Sequence, residues 1–316
     1  MLQLWSKNQN LDLGQQEKYL ITIVGPTAIG KTATSIALAR FFNSEIISAD
    51  ARQFYKEMSI GTAVPSPSEL DKVPHHFIHH ISIEKDYSVG DYEMDAIQLI
   101  ENKFKQKDKL FLVGGSGLYI DAVLKGLDDF PIIAPKIREE LQKVFLESGI
   151  STLQKKLQQL DPGYYKVVDK NNAHRLIRAL EVCIGSGKPY SSFLKKKSKK
   201  RNFNVLKIGL KADRELLYGR INNRVDLMME AGLLNEAKEL YDRRHLNALQ
   251  TVGYKELFSF LNKEISLEKA IEEIKKNSRR YAKRQLTWLR KDTEIKWFEF
   301  DEDVNNIIKH IKLKTS

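Results

Sequence analysis

The sequence predicts an α/β fold in which a parallel sheet is flanked by helices. Short apolar runs at residues 19–24, 45–48 and 110–113 have the length and composition of buried strands. Residues 31–42, between the first two runs, have the length and apolar content of a helix. Buried strands that alternate with helices are typical of parallel sheets, which bind ligands at the carboxyl ends of their strands.

Residues 131–203 are predicted to form a helical insertion in this core. Strand signals disappear there, and three segments have helical patterns, at residues 137–145, 151–160 and 172–184. The insertion ends near residues 195–201, where six of seven residues are basic. That run is interpreted either as a solvated linker or as a loop that contacts phosphates.

The flanking segments, residues 18–130 and 204–310, are predicted to form the core together. Strand character returns in the second of them at residues 205–210. Helices are predicted after this strand, at residues 213–230, 233–243 and 267–290.

Composition indicates a folded protein with an anionic partner. The chain has 316 residues, 42% of them hydrophobic, and a formal net charge of +11. A pI near 9.4 is common among nucleic-acid-binding proteins, although many basic proteins bind no anion. The one cysteine, Cys183, excludes an intramolecular disulfide and a cysteine-based zinc site, and its apolar neighbours indicate a buried thiol.

No apolar run is long enough to span a bilayer, and the N-terminus lacks the apolar stretch of a signal peptide. We therefore expect a cytoplasmic protein without a membrane partner, and we expect a monomer.

A glycine-rich motif follows the first predicted strand and precedes the first predicted helix. It fits the pattern G-x-x-x-x-G-K-[ST] and consists of Gly25, Pro26, Thr27, Ala28, Ile29, Gly30, Lys31 and Thr32. Backbone N–H groups of such a P-loop enclose a diphosphate, and the helix N-terminus adds partial positive charge. Lys31 would reach phosphate oxygens and the Thr32 hydroxyl would ligate Mg²⁺. The motif leaves open which polyphosphate is bound.

Polar residues follow the second and third predicted strands. Asp50 could ligate Mg²⁺, act as a general base or cap the next helix. Ser116 lies in a second glycine turn, Gly114–Tyr119, and could donate to a diphosphate oxygen. A glycine turn alone is weak evidence of function, but two turns at one sheet edge strengthen it.

Two further clusters allow more than one interpretation. The histidines at 75, 76, 79 and 80 follow Pro74 and have no cysteine nearby, which favours substrate or ordering contacts over metal binding. Arg220 and Arg224 lie four residues apart, so they share one helix face and are either solvated or phosphate ligands.

The last long helix is strongly basic, which suits contact with a nucleic-acid backbone. Ile271, Ile274, Tyr281 and Trp288 are predicted to form its core-facing stripe. Between residues 266 and 291 it carries nine basic residues, namely Lys269, Lys275, Lys276, Arg279, Arg280, Lys283, Arg284, Arg290 and Lys291.

In combination, these motifs resemble the bacterial tRNA dimethylallyltransferases over about residues 18–300. The resemblance implies a P-loop NTPase-like core with a helical insertion that moves against tRNA. The matching segments are Gly25–Thr32, Asp50–Tyr55, Ile60–Ala63, Pro74–His76, Gly114–Tyr119, His174–Val182, Gly187–Pro189, Arg220–Met228, Gly253–Glu256 and Tyr281–Trp288.

The resemblance also implies a reaction. A dimethylallyl group would pass from dimethylallyl diphosphate to the exocyclic amine of the adenosine 3′-adjacent to the anticodon, with Mg²⁺ as cofactor. Asp50 matches the catalytic base, while Lys31, Ser116 and Arg224 would stabilise the departing diphosphate. The residues that would contact the anticodon stem-loop are Asp50, Ala51, Arg52, Gln53, Ser116, Arg138, Arg175 and Arg178.

Two positions depart from the family pattern. Ala51 replaces the usual serine, so any contact made by that hydroxyl is lost, and Ser116 replaces the usual threonine but keeps a hydroxyl. Three other classes remain as alternatives. They are a P-loop kinase of small molecules or nucleotides, a prenyltransferase that acts on free nucleotides, and a non-catalytic RNA-binding protein.

Overall fold

The computed structural model describes residues 17–194 and 198–315. Its sheet has six parallel strands in the order β3-β2-β4-β1-β5-β6. The strands are β1 (Tyr19–Val24), β2 (Ile46–Ser48), β3 (His75–His76), β4 (Lys109–Gly114), β5 (Asn204–Lys211) and β6 (Lys296–Glu299). The predicted parallel α/β fold is confirmed. The strands β3 and β6 were not predicted, because neither contains an apolar run of ordinary strand length.

Helices surround the sheet and form a separate helical region. They are α1 (Lys31–Phe41), α2 (Pro67–Leu70), α3 (Val89–Lys103), α4 (Gly117–Lys125), α5 (Pro135–Leu160), α6 (Pro162–Val167), α7 (Ala173–Ser186), α8 (Arg214–Glu230), α9 (Leu233–Glu239), α10 (Tyr254–Leu261), α11 (Leu267–Leu289) and α12 (Val304–Lys314). The helices predicted at 137–145 and 151–160 are the two halves of α5. They are separated by Gly149, whose φ of 72° is not helical.

Alternation along β1 builds a core on each face of the sheet. Leu20 and Val24 pack into one buried cluster with Ile47 of β2. Ile21 and Ile23 point the other way. Because both faces of the sheet are covered, β1 and β4 are apolar along most of their length, which is why the sequence revealed them. Each fully buried aliphatic side chain contributes about 1.5–3 kcal/mol.

The chain divides into two compact units. Among the described residues, the first contains 17–124 and 201–315, and the second contains 125–194 and 198–200. The second unit has its own core, in which Leu153, Leu176 and Leu180 are fully buried. Cys183 is buried there, as predicted.

The basic run at 195–201 falls partly outside the described residues, since 195–197 are not among them. Its last residue, Arg201, is anchored in the first unit. The guanidinium donates to the carbonyls of Ala122 and Val123 and to Glu93 at 2.7–2.8 Å. Arg201 is therefore a structural residue rather than a solvated one. Within the described ranges, no helix has both the length and the apolar character that a membrane span requires.

Candidate active site

The P-loop curves tightly between β1 and α1. Gly25 and Gly30 have φ values of 156° and 108°, and a Cβ on Gly25 would lie 2.8 Å from the Leu210 carbonyl oxygen. These positions therefore require glycine. The loop folds around Lys31, whose Nζ donates to the carbonyls of Gly25 (3.0 Å) and Pro26 (2.9 Å). Burial lowers the pKa of Lys31 to about 8, with Arg224 acting in the same direction and Asp50 opposing it.

A cavity of about 650 Å³ opens over this loop. Its polar wall includes Lys31, Thr32, Asp50, Arg220 and Arg224. Apolar residues also line it, and they include Ala63, Val64, Pro65, Ile78 and Leu227. The cavity thus combines cationic groups with apolar surface, as an ester of diphosphate and a short hydrocarbon would require.

Asp50 also lines a second cavity, of about 310 Å³. Ser116 lines it, while Asp50, Arg224 and Tyr281 line both cavities. Asp50 therefore has access to both spaces. Other residues of this second wall are Ala51, Arg52, Gly61, Thr62, Thr251, Val252, Gly253 and Ser278.

Backbone groups fix the carboxylate of Asp50 at the end of β2. Its Oδ1 accepts the N–H of Arg52 at 3.1 Å, and its own N–H donates to the Ser48 hydroxyl at 3.3 Å. Asp50 therefore caps a single turn rather than a regular helix. Beside it, the Ser116 hydroxyl accepts the N–H of Ala51 at 3.3 Å.

Two arginines of α8, Arg220 and Arg224, line the P-loop cavity. Arg220 Nε donates to the Ala28 carbonyl at 2.8 Å, and its guanidinium lies 4.9 Å from the centre of the Phe300 ring. Burial lowers the pKa of Arg224, while the charge of Asp50 opposes that shift. The one-face arrangement inferred from the spacing therefore places both guanidinium groups where an anion would bind.

Arg52 and Gln53 hold the walls of the site. Arg52 Nη1 donates to the carbonyls of Asn247 (3.1 Å) and Ala248 (3.0 Å). Gln53 Nε2 donates to the Ala63 carbonyl at 3.0 Å, and its Oε1 accepts from Ser48. Both side chains thus organise neighbouring loops, a role that the sequence did not indicate.

The partly buried carboxylate of Glu236 holds the loop that contributes Gly61 to the wall of the second cavity. Glu236 accepts the N–H groups of Ser59, Ile60 and Gly61 at 2.8–2.9 Å and the hydroxyl of Tyr254 at 2.6 Å. A Cβ on Gly61 would lie 2.6 Å from the Tyr254 ring. Sequence analysis missed Glu236, because its partners are backbone groups far away in the chain.

The helix α11 supplies two site residues that the sequence did not identify. Tyr281 was placed in the core-facing stripe, and this was wrong, since its side chain is 37% exposed and lines both cavities. Ile274 is buried as expected, while Ile271 and Trp288 are partly buried against the core. Burial and the charge of Asp50 raise the pKa of Tyr281. Gln285, one helical turn later, binds both glycine loops.

The histidines are dispersed among different environments. His75 lines the first cavity, and its Nδ1 lies 2.8 Å from the Val73 carbonyl oxygen. His76 pairs with Glu45 at 2.7 Å, and His80 packs against Phe54. Among the residues that the structure describes, no group of three or more histidine, cysteine or acidic side chains could hold a metal ion.

In the second unit, which is helical, two of the three arginines predicted to contact tRNA pair with the buried carboxylate of Glu181. Arg138 and Arg178 approach its Oε2 at 2.6 and 3.4 Å, and Arg178 also lies 5.2 Å from the centre of the Phe130 ring. Arg175 is exposed near the start of α7. These residues belong to the second unit, whereas every residue named above for the two cavities belongs to the first.

Comparison with known proteins gives a consistent assignment. Residues 53–292 match the model of the IPP transferase family. The chain is 62% identical to the tRNA dimethylallyltransferase of Christiangramia forsetii, over 94% of this chain and 98% of that protein. It is 56% identical to the enzyme of the same name from Flavobacterium johnsoniae, over 95% and 99% of the two chains.

Solved structures agree with this assignment. A tRNA isopentenylpyrophosphate transferase from Bacillus halodurans is 41% identical, with a TM-score of 0.70 over 95% of this chain and 97% of that one. A eukaryotic dimethylallyltransferase acting on tRNA is 28% identical, with a TM-score of 0.77 over 90% and 74%. The sequence and fold of this chain therefore make it a member of the IPP transferase family.

Proposed function

We propose that the protein transfers a dimethylallyl group from dimethylallyl diphosphate to the exocyclic amine of the adenosine 3′-adjacent to the anticodon in tRNA. The observation that carries the proposal is the position of Asp50. Asp50 lines both the cavity over the P-loop, which would bind diphosphate, and the second cavity, which would receive a base. The family assignment and the names of the relatives support the same reaction.

The first cavity would hold the prenyl donor. The P-loop N–H groups surround the diphosphate, and Lys31 exchanges its two carbonyl partners for phosphate oxygens. Arg224 and Arg220 add positive charge from α8. When the bond between the allylic carbon and oxygen breaks, negative charge accumulates on the diphosphate, and fixed cations stabilise that charge.

The second cavity would hold the adenine after it leaves the anticodon-loop stack. The exocyclic amine is a weak nucleophile, because its lone pair is delocalised into the ring. Asp50 accepts a hydrogen bond from the amine and takes its proton as the new bond between nitrogen and carbon forms. Ser116 and Tyr281 lie beside this path and can orient the base.

The donor set in the first cavity fits Mg²⁺. Thr32 offers a hydroxyl and Asp50 a carboxylate, and Mg²⁺ bound to phosphates needs few protein ligands because it keeps several waters. Thr32 would be the direct ligand. The ion would neutralise charge on the diphosphate and make it a better leaving group.

The helical insertion, whose boundaries we place at residues 131–203, would contact the anticodon stem-loop. Arg138, Arg175 and Arg178 are its proposed phosphate ligands, and Ala51, Arg52 and Gln53 would face the flipped base. We infer that the enzyme works as a monomer in the cytoplasm, where its proposed tRNA substrate is found.

The proposal is tested with labelled dimethylallyl diphosphate, Mg²⁺ and either unmodified tRNA or AMP. Label should appear in tRNA, on the adenosine next to the anticodon. Label only in AMP would indicate a prenyltransferase of free nucleotides, and ATP consumption without label transfer would indicate a kinase. If wild type binds tRNA but transfers nothing, the protein is a non-catalytic RNA binder.

A further inference from the structure

We infer that Gln285 is a positioning residue that locks the diphosphate loop to the loop that carries Ser116. The inference rests on the proposed function and concerns the same site. Gln285 lines the first cavity but carries no charge, and its two hydrogen bonds join backbone groups of two loops, so its effect on the reaction would be exerted through those loops.

The side-chain amide bridges two glycine-rich segments that are far apart in the sequence. Gln285 Oε1 accepts the N–H of Thr27 at 2.9 Å, and Nε2 donates to the Gly115 carbonyl at 3.0 Å. Gln285 is only 8% exposed. Both backbone groups would be left without these hydrogen bonds if the amide were removed, which is unfavourable in a buried setting.

The observed position of the amide requires a residue without a side chain at position 115. A Cβ on Gly115 would lie 2.2 Å from Gln285 Nε2 and 3.3 Å from the Gly25 carbonyl oxygen. Glycine is therefore needed at 115 for the amide to reach its partners. The bridge requires one donor and one acceptor in the same planar group. The glutamine amide has both, whereas a glutamate carboxylate has only acceptors.

The hydrogen-bonded bridge would set the distance between the loop that would bind the diphosphate and the loop beside the proposed base. Thr27 belongs to the loop that would bind the diphosphate. Gly115 immediately precedes Ser116, whose hydroxyl binds the backbone next to Asp50. A reacting pair is sensitive to displacements of about 1 Å, which can cost on the order of 100-fold in rate. Gln285 would thus hold the leaving group in register with the base.

The variants Gln285→Met and Gln285→Glu test this role, with Thr287→Val as a matched control. Thr287 is an exposed residue of the same helix, and its hydroxyl binds only the carbonyl of Lys283 among the described residues. Gln285→Met keeps the size of the side chain but loses both bonds. We expect kcat to fall about 10- to 100-fold, with tRNA affinity within about twofold of wild type because the basic face of the helix is unchanged.

A second measurement does not depend on transfer. Binding of inorganic diphosphate with Mg²⁺, followed by calorimetry, should weaken about tenfold in Gln285→Met, since Thr27 loses its anchor. In Gln285→Glu it should weaken further, because a carboxylate would approach the bound anion. Unchanged kcat and unchanged diphosphate binding in Gln285→Met would overturn the inference.

Gly115→Ala provides an independent approach if a Gln285 variant does not fold. The added methyl displaces Nε2, so it should reproduce the loss of kcat. If both changes act through one bridge, the double variant is no slower than the slower single one, whereas multiplied effects contradict the inference. A role in folding alone would reduce the fraction of active sites but leave kcat per site unchanged. Wild type that transfers nothing would refute the proposed function instead.

Discussion

The P-loop cavity and the helical unit both collect cationic side chains, but they neutralise them differently. In the cavity, Lys31 relies on two backbone carbonyls, and burial lowers the pKa of both Lys31 and Arg224. In the helical unit, Arg138 and Arg178 share the carboxylate of Glu181. In the cavity the charge of Asp50 offsets that burial only in part, so the cavity is suited to receive further negative charge from a ligand, whereas Glu181 pairs directly with the arginines of the helical unit.

The largest expected effect comes from Asp50, the proposed base, which lines both cavities. Asp50→Asn keeps the shape of the side chain but cannot accept a proton. Transfer should fall about 100- to 10,000-fold, while binding of tRNA and diphosphate persists. Single-turnover assays with labelled donor measure the loss. A variant that retains a tenth of the wild-type rate would exclude Asp50 as the base.

The next effect concerns the cations of the cavity. Arg224→Met should lower kcat about 100- to 1,000-fold, because a fixed charge at the leaving group disappears. It should also weaken inhibition by inorganic diphosphate. Arg224→Lys is the matched control, since it keeps the charge without the planar fork and should recover part of the activity. If Arg224→Lys loses as much activity as Arg224→Met, a positive charge at this position is not sufficient for the contribution of Arg224.

The pH dependence of stability tests whether Lys31 is poorly neutralised in the free protein. Its folded pKa is about 8, below the unfolded value of about 10.4. The unfolded state therefore binds more protons between these values, and the contribution of Lys31 to stability should rise with pH in that window. The rise should be at most about 3 kcal/mol.

Urea unfolding at pH 8 and pH 10 measures this rise. Lys31→Met serves as the reference, because it removes this titration and leaves the others in place. An identical change in both proteins would show that the carbonyl partners fully compensate the burial of the ammonium group. Bound diphosphate should abolish the difference, since it restores the pKa of Lys31.

The smallest expected effect lies in the helical unit. Arg178→Met should weaken tRNA binding only a few-fold and reduce the slope of log affinity against log salt by about 1. Lys143→Met is the control, because its exposed ammonium lies 3.9 Å from Glu147 on the same helix. Diphosphate binding should not change in either variant. If the slope of log affinity against log salt equals that of wild type, Arg178 makes no contact with a phosphate and its role is structural, through the ion pair with Glu181.

The parts of the fold that were predicted from the sequence are those that short continuous segments specify. Residues 19–32 combine a buried strand, a glycine loop and a helix, and each is specified by neighbouring residues. The core-facing stripe on α11 was predicted less well. Helical periodicity shows which residues share a face of the helix, but it does not show which other elements that face contacts. Tyr281 lies at a boundary of the apolar face, and only the surrounding elements make it part of a cavity wall.

The sequence by itself determined the class of fold, the glycine-rich P-loop and the family to which the chain belongs, because these depend on short continuous patterns. Only the tertiary structure decided that Asp50 would line two cavities. It also decided that Glu236 would hold the loop at 59–61 and that Gln285 would bridge Thr27 and Gly115, which lie 258 and 170 residues away in the chain. The physical reason is that a buried polar group must satisfy its hydrogen bonds with whatever backbone the fold brings near it.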